Sequence, residues 1–146
     1  MPIKNIGFIT RQMCRDNPDT LFVFGDNMKG KGFGGQAHFM RGEPNAVGIP
    51  TKWVPTNTPK SFFTDDDFQT VRTTIDQRFQ ILADHLARGG NVIWPSDGIG
   101  TGRARLLQCA PRIFALIERN RAQLEKIKKA KAHETHVDGN TTVVSS

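Results

Sequence analysis

Residues 21–52, LFVFGDNMKGKGFGGQAHFMRGEPNAVGIPTK, decide how this chain is read. The apolar run Leu21-Phe22-Val23-Phe24 has the length and composition of a buried strand, and it stops at the turn-forming Gly25-Asp26-Asn27. Gly30, Gly32, Gly34 and Gly35 follow in quick succession, and glycine lets backbone approach a ligand closely. Gly34-Gly35-Gln36-Ala37 reads as the opening of a short helix that reaches about Met40. A strand, a glycine-rich turn and a helix N-terminus in that order predict an anion site, because N–H groups and the helix dipole converge there.

A tight surface turn would use the same glycines, so one such loop alone decides little. A second one changes the balance. Asn91-Val92-Ile93-Trp94-Pro95 is another short apolar run, and it ends in Ser96-Asp97-Gly98-Ile99-Gly100-Thr101-Gly102-Arg103 ahead of a helical pattern. Two glycine loops at the C-terminal ends of neighbouring strands predict a crevice for a phosphate-bearing ligand.

Outward from these loops, Ile6–Thr10 reads as a first strand and Arg11–Asn17 as a turn of helix. Ala46–Pro50 reads as a third strand, which delivers Thr51, Lys52 and Trp53 to the same rim if the sheet is parallel there. Thr64 is a candidate N-cap for a helix over Asp65–Arg88, whose Phe68, Val71, Ile75, Phe79, Leu82 and Leu86 recur at helical spacing. A last helix is expected over Ala104–Lys131, interrupted near Pro111, and 132–146 is expected to be a flexible tail after a single domain at 1–131. Alternating strands and helices give the α/β class.

Composition narrows the classes. A 146-residue chain is long enough for a core without disulfide staples, and Cys14 and Cys109 have no CxxC spacing, so both read as free thiols. No apolar run approaches bilayer length, and the first ten residues lack the apolar core of a signal peptide, which together predict a cytoplasmic protein with no membrane partner. The net charge of +6 suits an anionic ligand and allows a weak nucleic-acid contact. The pair His133 and His136 lacks an evident third ligand, and nothing else suggests a metal or other cofactor.

The two loops together resemble those of the macrodomain family, α/β modules that bind ADP-ribose. The matching residues are Phe24-Gly25-Asp26-Asn27 with Gly32-Phe33-Gly34-Gly35-Gln36-Ala37, and Pro95-Ser96-Asp97-Gly98-Ile99-Gly100-Thr101-Gly102. The strand end Ile49-Pro50-Thr51-Lys52, with Phe63-Thr64-Asp65-Asp66-Asp67-Phe68 downstream, resembles the branch of DNA ADP-ribosyl glycohydrolase antitoxins and terminal ADP-ribose protein glycohydrolases. The string is also similar to bacteriophage sequences, which implies counter-defence in the cytoplasm of a bacterial host.

The resemblance implies a three-layer α/β/α domain with a mixed central sheet. It also implies that ADP-ribose, free or carried by a macromolecule, is the partner. Lys52 would act as nucleophile or electrostatic catalyst, and Asn27 would orient the ribose. Contacts would come from Gly25, Asp26, Gly32, Phe33, Gly34, Gly35, Gln36 and Thr51, from Trp53, and from Pro95 through Arg103, including Ser96, Asp97, Gly98, Ile99, Gly100, Thr101 and Gly102.

Read without the resemblance, Asn27 and Asp26 equally suit a turn. Lys52 better suits a solvated surface, while Phe33 equally suits a core position and Arg103 a solvated helix start. Protein-directed members of the branch carry a second-loop aspartate where this chain reads Gly100-Thr101-Gly102-Arg103, with Asp97 placed earlier. Two functions therefore compete, with a basic nucleic-acid module as a third reading. One is a hydrolase that removes ADP-ribose from a modified macromolecule. The other is a non-catalytic binder of ADP-ribose, a cyclic relative or another nucleotide signal.

Overall fold

The computed structural model of the protein describes residues 3–101 and 104–135, with side chains as far as Ile127. The expected tail from residue 136 onward, with His136, lies outside the described residues, as do Gly102 and Arg103. The order is β1 (Ile3–Ile6), α1 (Arg11–Asp16), β2 (Thr20–Asn27), α2 (Ala37–Met40), β3 (Ala46–Lys52), α3 (Phe68–Ala87), β4 (Asn91–Pro95), α4 (Leu106–Cys109) and α5 (Pro111–Thr135). Two 3₁₀ turns, Pro59–Ser61 and Asp65–Asp67, precede α3.

The four strands form one sheet in the order β1-β4-β2-β3. Every pairing is parallel, so the expected mixed sheet is corrected to an all-parallel one. The physical reason lies in the connections. Each strand returns to the sheet through helical segments, and such crossovers bring the next strand in with the same direction. An isolated antiparallel bridge, Lys52 to Phe62, touches the β3 edge without extending the sheet.

Both sheet faces are covered, as a parallel sheet requires. Val23, Val47, Ile49, Val92 and Trp94 pack with Val71, Ile75, Leu82, Ile113 and Ile117 of α3 and α5 in the larger core cluster. Phe22, Phe24 and Ile93, the alternate residues of the same strands, pack with Cys14, Ala37 and Met40 of α1 and α2 in the smaller one. The result is three layers, and it places the C-terminal ends of β2, β3 and β4 along one rim.

Several boundaries differ from expectation. The first strand lies at Ile3–Ile6 rather than Ile6–Thr10, because Thr10 accepts a hydrogen bond from Met13 N (3.2 Å) as the cap of α1. The acidic segment after Thr64 is 3₁₀, with Asp67 accepting from Thr64 N (2.9 Å), and the α-helix proper starts at Phe68. The last helix divides at Ala110, just before Pro111. It continues to Thr135, four residues past its expected end at Lys131.

The small layer is tied down by charge. Arg11 of α1 donates to Glu43 (2.8 Å), to Arg41 O (2.8 Å) and to His38 O (2.9 Å), while Arg15 adds a second cation beside Glu43. Hydrogen bonds from Arg11 and then Arg15 hold the Glu43 carboxyl below its ordinary pKa. A depressed carboxyl stabilises the fold above its unfolded pKa and loses that effect as pH falls through the folded value. Glu43→Gln should therefore be less stable than wild type at pH 7, and the gap should close as pH falls below about 4. Denaturant midpoints measured for both proteins from pH 7 to pH 3 check this, and a gap that is constant with pH would exclude the ion pairs as its source. Burial, followed by the charge of Glu43, pushes the Cys14 thiol up.

Candidate functional site

A cleft of about 270 Å³ opens on the rim where β2, β3 and β4 end. Its walls are the two glycine loops, with Gly25, Gly32, Gly34, Gly35 and Gln36 on one side and Gly98, Gly100 and Thr101 on the other. Asp26, Asn27, Thr51 and Lys52 also line it, as do Lys31, Arg41 and Pro55.

The strand ends are set by a register shift. Asp26 pairs with Pro50 but Asn27 with Lys52, so Thr51 is the extra residue on β3. Such a bulge re-aims the side chains at the end of a pair. Buried Thr51 uses its hydroxyl to donate to Asp26 O (3.1 Å), which fixes the bulge.

Asn27 is buried and serves its own loop. It donates to Lys31 O (2.8 Å) and accepts from Lys29 N (3.1 Å). This is the turn reading of Asn27, with the amide lining the cleft while shaping residues 27–31. Asp26 faces Arg41 of the segment after α2 in a two-pronged ion pair, with Arg41 Nη1 3.3 Å from Asp26 Oδ2 and Arg41 Nη2 closing on Oδ1. Asp26 Oδ1 also accepts from Asn27 N (2.7 Å).

Arg41 further donates through Nε to Gly32 O (2.6 Å) and through Nη2 to Lys31 O (3.2 Å), and its guanidinium lies 5.4 Å from the Phe24 ring centroid. Arg41 thus organises the first loop. Sequence reasoning missed it, because RGEPN reads only as a turn and the partners of Arg41 lie in a different loop.

Lys52 lines the cleft, but its ammonium is engaged there. It donates to Pro55 O (3.2 Å), Thr56 O (3.1 Å) and Asn57 Oδ1 (3.0 Å). It therefore clasps the loop after β3, whose Pro55 closes against Gly32: a Cβ on Gly32 would meet Pro55 Cβ at 2.8 Å. Lys31, also missed from sequence, is the lining lysine whose ammonium makes no bond among the described residues. The backbone amides of Gly34, Gly35 and Gly100 likewise meet no acceptor among the described residues.

Other expected contacts lie elsewhere. Trp53 turns from the cleft to pack edge-on against Phe63 at 5.2 Å, with its indole N–H donating to Asp67 (3.2 Å). Phe33 is 60% exposed and does not line the cleft, and neither do Pro95, Ser96 and Asp97. Ile99 is buried in the larger core. The glycines expected to open a helix precede it instead, and α2 spans only four residues, too few for a helix dipole to matter. What remains at this wall is loop amides.

Residues 4–120 match DUF7831, a family of unknown function. The chain belongs to this family. No curated protein and no solved structure matches it. The match covers both glycine loops and all four strands, apart from the first residue of β1. No group of three or more His, Cys, Asp or Glu side chains placed to hold a metal occurs among the described residues. No helix among them is long and apolar enough to cross a membrane.

Chemically, the cleft offers amide donors from two loops, three cations and one carboxylate already neutralised by Arg41. That set suits a ligand carrying phosphate.

Proposed function

We propose that the cleft binds the diphosphate of an ADP-ribose-type ligand, held between the amides of the two glycine loops and the ammonium of Lys31. The observation that carries this reading is the convergence of the two loops at Gly25. A Cβ placed there would lie 3.6 Å from Ile99 Cβ and 3.7 Å from Gly100 N, so the two loops approach at this point, and Gly34, Gly35 and Gly100 line the same cleft. The sequence resemblance of the two loops to those of macrodomains supports the choice of ADP-ribose among diphosphates.

The binding role is preferred to the hydrolytic one. Lys52 would have to leave its hydrogen bonds to Pro55, Thr56 and Asn57 and lose a proton before acting as a nucleophile. The lining carboxylate of Asp26 is occupied by Arg41. Removal of ADP-ribose from a modified macromolecule is the second reading, favoured by the place of Lys52 on the cleft wall. As a counter-defence role, sequestration of a nucleotide signal fits the first reading.

Calorimetric titration with ADP-ribose, beside AMP and NAD, tests the proposal. Gly25→Ala sharpens it. The added methyl meets its neighbours only at ordinary contact distances of 3.5–3.7 Å, so stability should stay within about 0.5 kcal/mol of wild type. The same methyl would crowd Gly100 N–H, and affinity for ADP-ribose should fall at least about tenfold, or about 1.4 kcal/mol. If wild type binds none of the three compounds, the reading is wrong. Turnover of ADP-ribosylated DNA or protein that disappears in Lys52→Ala would replace the binding role with the hydrolytic one.

A further inference from the structure

We infer that Gln36 is a positioning residue that sets the spacing of the two glycine loops and, through it, the affinity of the cleft. The inference rests on the phosphate-binding reading above. Gln36 Oε1 accepts from Gly25 N (2.7 Å), and Gln36 Nε2 donates to Gly98 O (3.0 Å), a residue 62 positions away in the chain. One end of the amide is therefore fixed to the end of β2 and the other to the second loop. The acceptor must face Gly25 and the donor must face Gly98, so the amide has one permitted orientation.

The other bonds of the second loop are local to it, apart from Ser96 N, which donates to Ile6 O at the end of β1 (2.9 Å). Gly98 N donates to Pro95 O (2.9 Å), Thr101 Oγ1 to Asp97 O (2.8 Å) and Leu106 N to Gly100 O (2.8 Å). Among the described residues, the Gln36 bond is the hydrogen bond that crosses from the first loop to the second. A Cβ on Gly25 would sit 3.5 Å from Gln36 Oε1 and 3.7 Å from Gly100 N, so this strut passes beside the amide proposed to meet the anion.

An anion held by amides from two walls binds well only if the walls are already at the right separation, because ordering them on binding subtracts from affinity. Gln36 supplies that order before the ligand arrives. A carboxylate in its place would keep the bond from Gly25 N but set a negative oxygen against Gly98 O. A protonated carboxyl would restore a donor there.

The test uses Gln36→Leu and Gln36→Glu in the full-length protein, with ADP-ribose as the probe and amide hydrogen exchange of Gly98 and Leu106, the hydrogen-bonded amides at the two ends of the second loop, as a readout that needs no ligand. Gln36→Leu should exchange several-fold faster at these amides and bind at least about tenfold more weakly at pH 7. Gln36→Glu should match it at pH 7 and, compared with wild type at each pH, recover both properties as pH falls towards about 4, whereas Gln36→Leu should keep a constant deficit.

Weaker binding with unchanged exchange would make Gln36 a direct ligand contact and overturn the inference. Unchanged binding in both variants would overturn it as well. If wild type does not bind ADP-ribose, the phosphate-binding reading fails first. Altered exchange alone would then leave Gln36 a purely structural strut, and the affinity role would fall with that reading.

Discussion

Arg41→Ala should lower the unfolding free energy by about 3 kcal/mol and abolish the proposed ADP-ribose binding at the cleft. The side chains of Arg41 and Asp26 are 15% and 12% exposed, so truncation strands a carboxylate that is nearly out of water. Removing one partner of a buried pair costs about 3–5 kcal/mol, and the residual exposure places this pair at the low end. The loss extends beyond the pair, because Gly32 O and Lys31 O lose the donors that hold the first loop in place.

Arg41→Lys should recover less than half of the stability. One ammonium cannot serve a carboxylate and two carbonyls in the fixed geometry that a planar guanidinium provides. A double-mutant cycle with Asp26→Asn should return a coupling of about 2 kcal/mol by urea denaturation. An Arg41→Ala protein that unfolds within about 0.5 kcal/mol of wild type would show that the pair is merely a surface contact.

Gly100→Ala should be comparably damaging by a different route. Gly100 has φ +75, which costs a residue with a side chain about 1–2 kcal/mol. Space is also lacking, since the new Cβ would meet Leu106 Cδ2 at 2.8 Å, Leu106 Cβ at 3.0 Å and Thr51 Cγ2 at 3.3 Å. Leu106 is fully buried and Thr51 pins the β3 bulge, so neither can step aside cheaply. Overpacking of this kind adds about 1–3 kcal/mol. The sum of about 3 kcal/mol corresponds to a melting temperature roughly 10 °C lower in a domain of this size. Gly7→Ala, whose Cβ would meet nothing within 4 Å, is the control and should melt with wild type. Equal melting of the two variants would mean that the second loop can relax around a side chain.

The parts legible in the sequence are those whose pattern is local. The apolar runs of β2 and β4 declared themselves, and so did α3, whose six periodic apolar residues are all buried. The two loops were visible as glycine clusters between a strand and a helix, and the structure brings them together on one rim. β1 was misplaced because Lys4 and Asn5 interrupt its apolar pattern, leaving Ile6-Gly7-Phe8-Ile9 as the stronger run. The roles of individual site residues were not local at all. Whether Asn27 faces a ligand or its own loop depends on where Lys29 and Lys31 place their backbone, and the partners of Arg41 and Gln36 are chosen by the fold. Trp53 was read from its neighbour Lys52, but adjacent residues leave a strand end in different directions, and Trp53 joined the core.

The strand order also governs when the chain can become itself during synthesis. β2 and β3 lie close in sequence and can associate early, once residue 52 has emerged. β1 cannot, because its partner in the sheet is β4, with Ile3 beside Val92 and Ile6 beside Pro95. β1, which leaves the ribosome before the other strands, is thus among the last to find its place, and it waits while roughly ninety residues are translated, some 5–20 s at typical elongation rates. Until then β2 keeps an open edge, and the floor of the cleft lacks its second wall. The proposed ligand binding should accordingly be among the last properties a nascent chain acquires, and a chain stalled before residue 95 should be a client for chaperones rather than a partial binder.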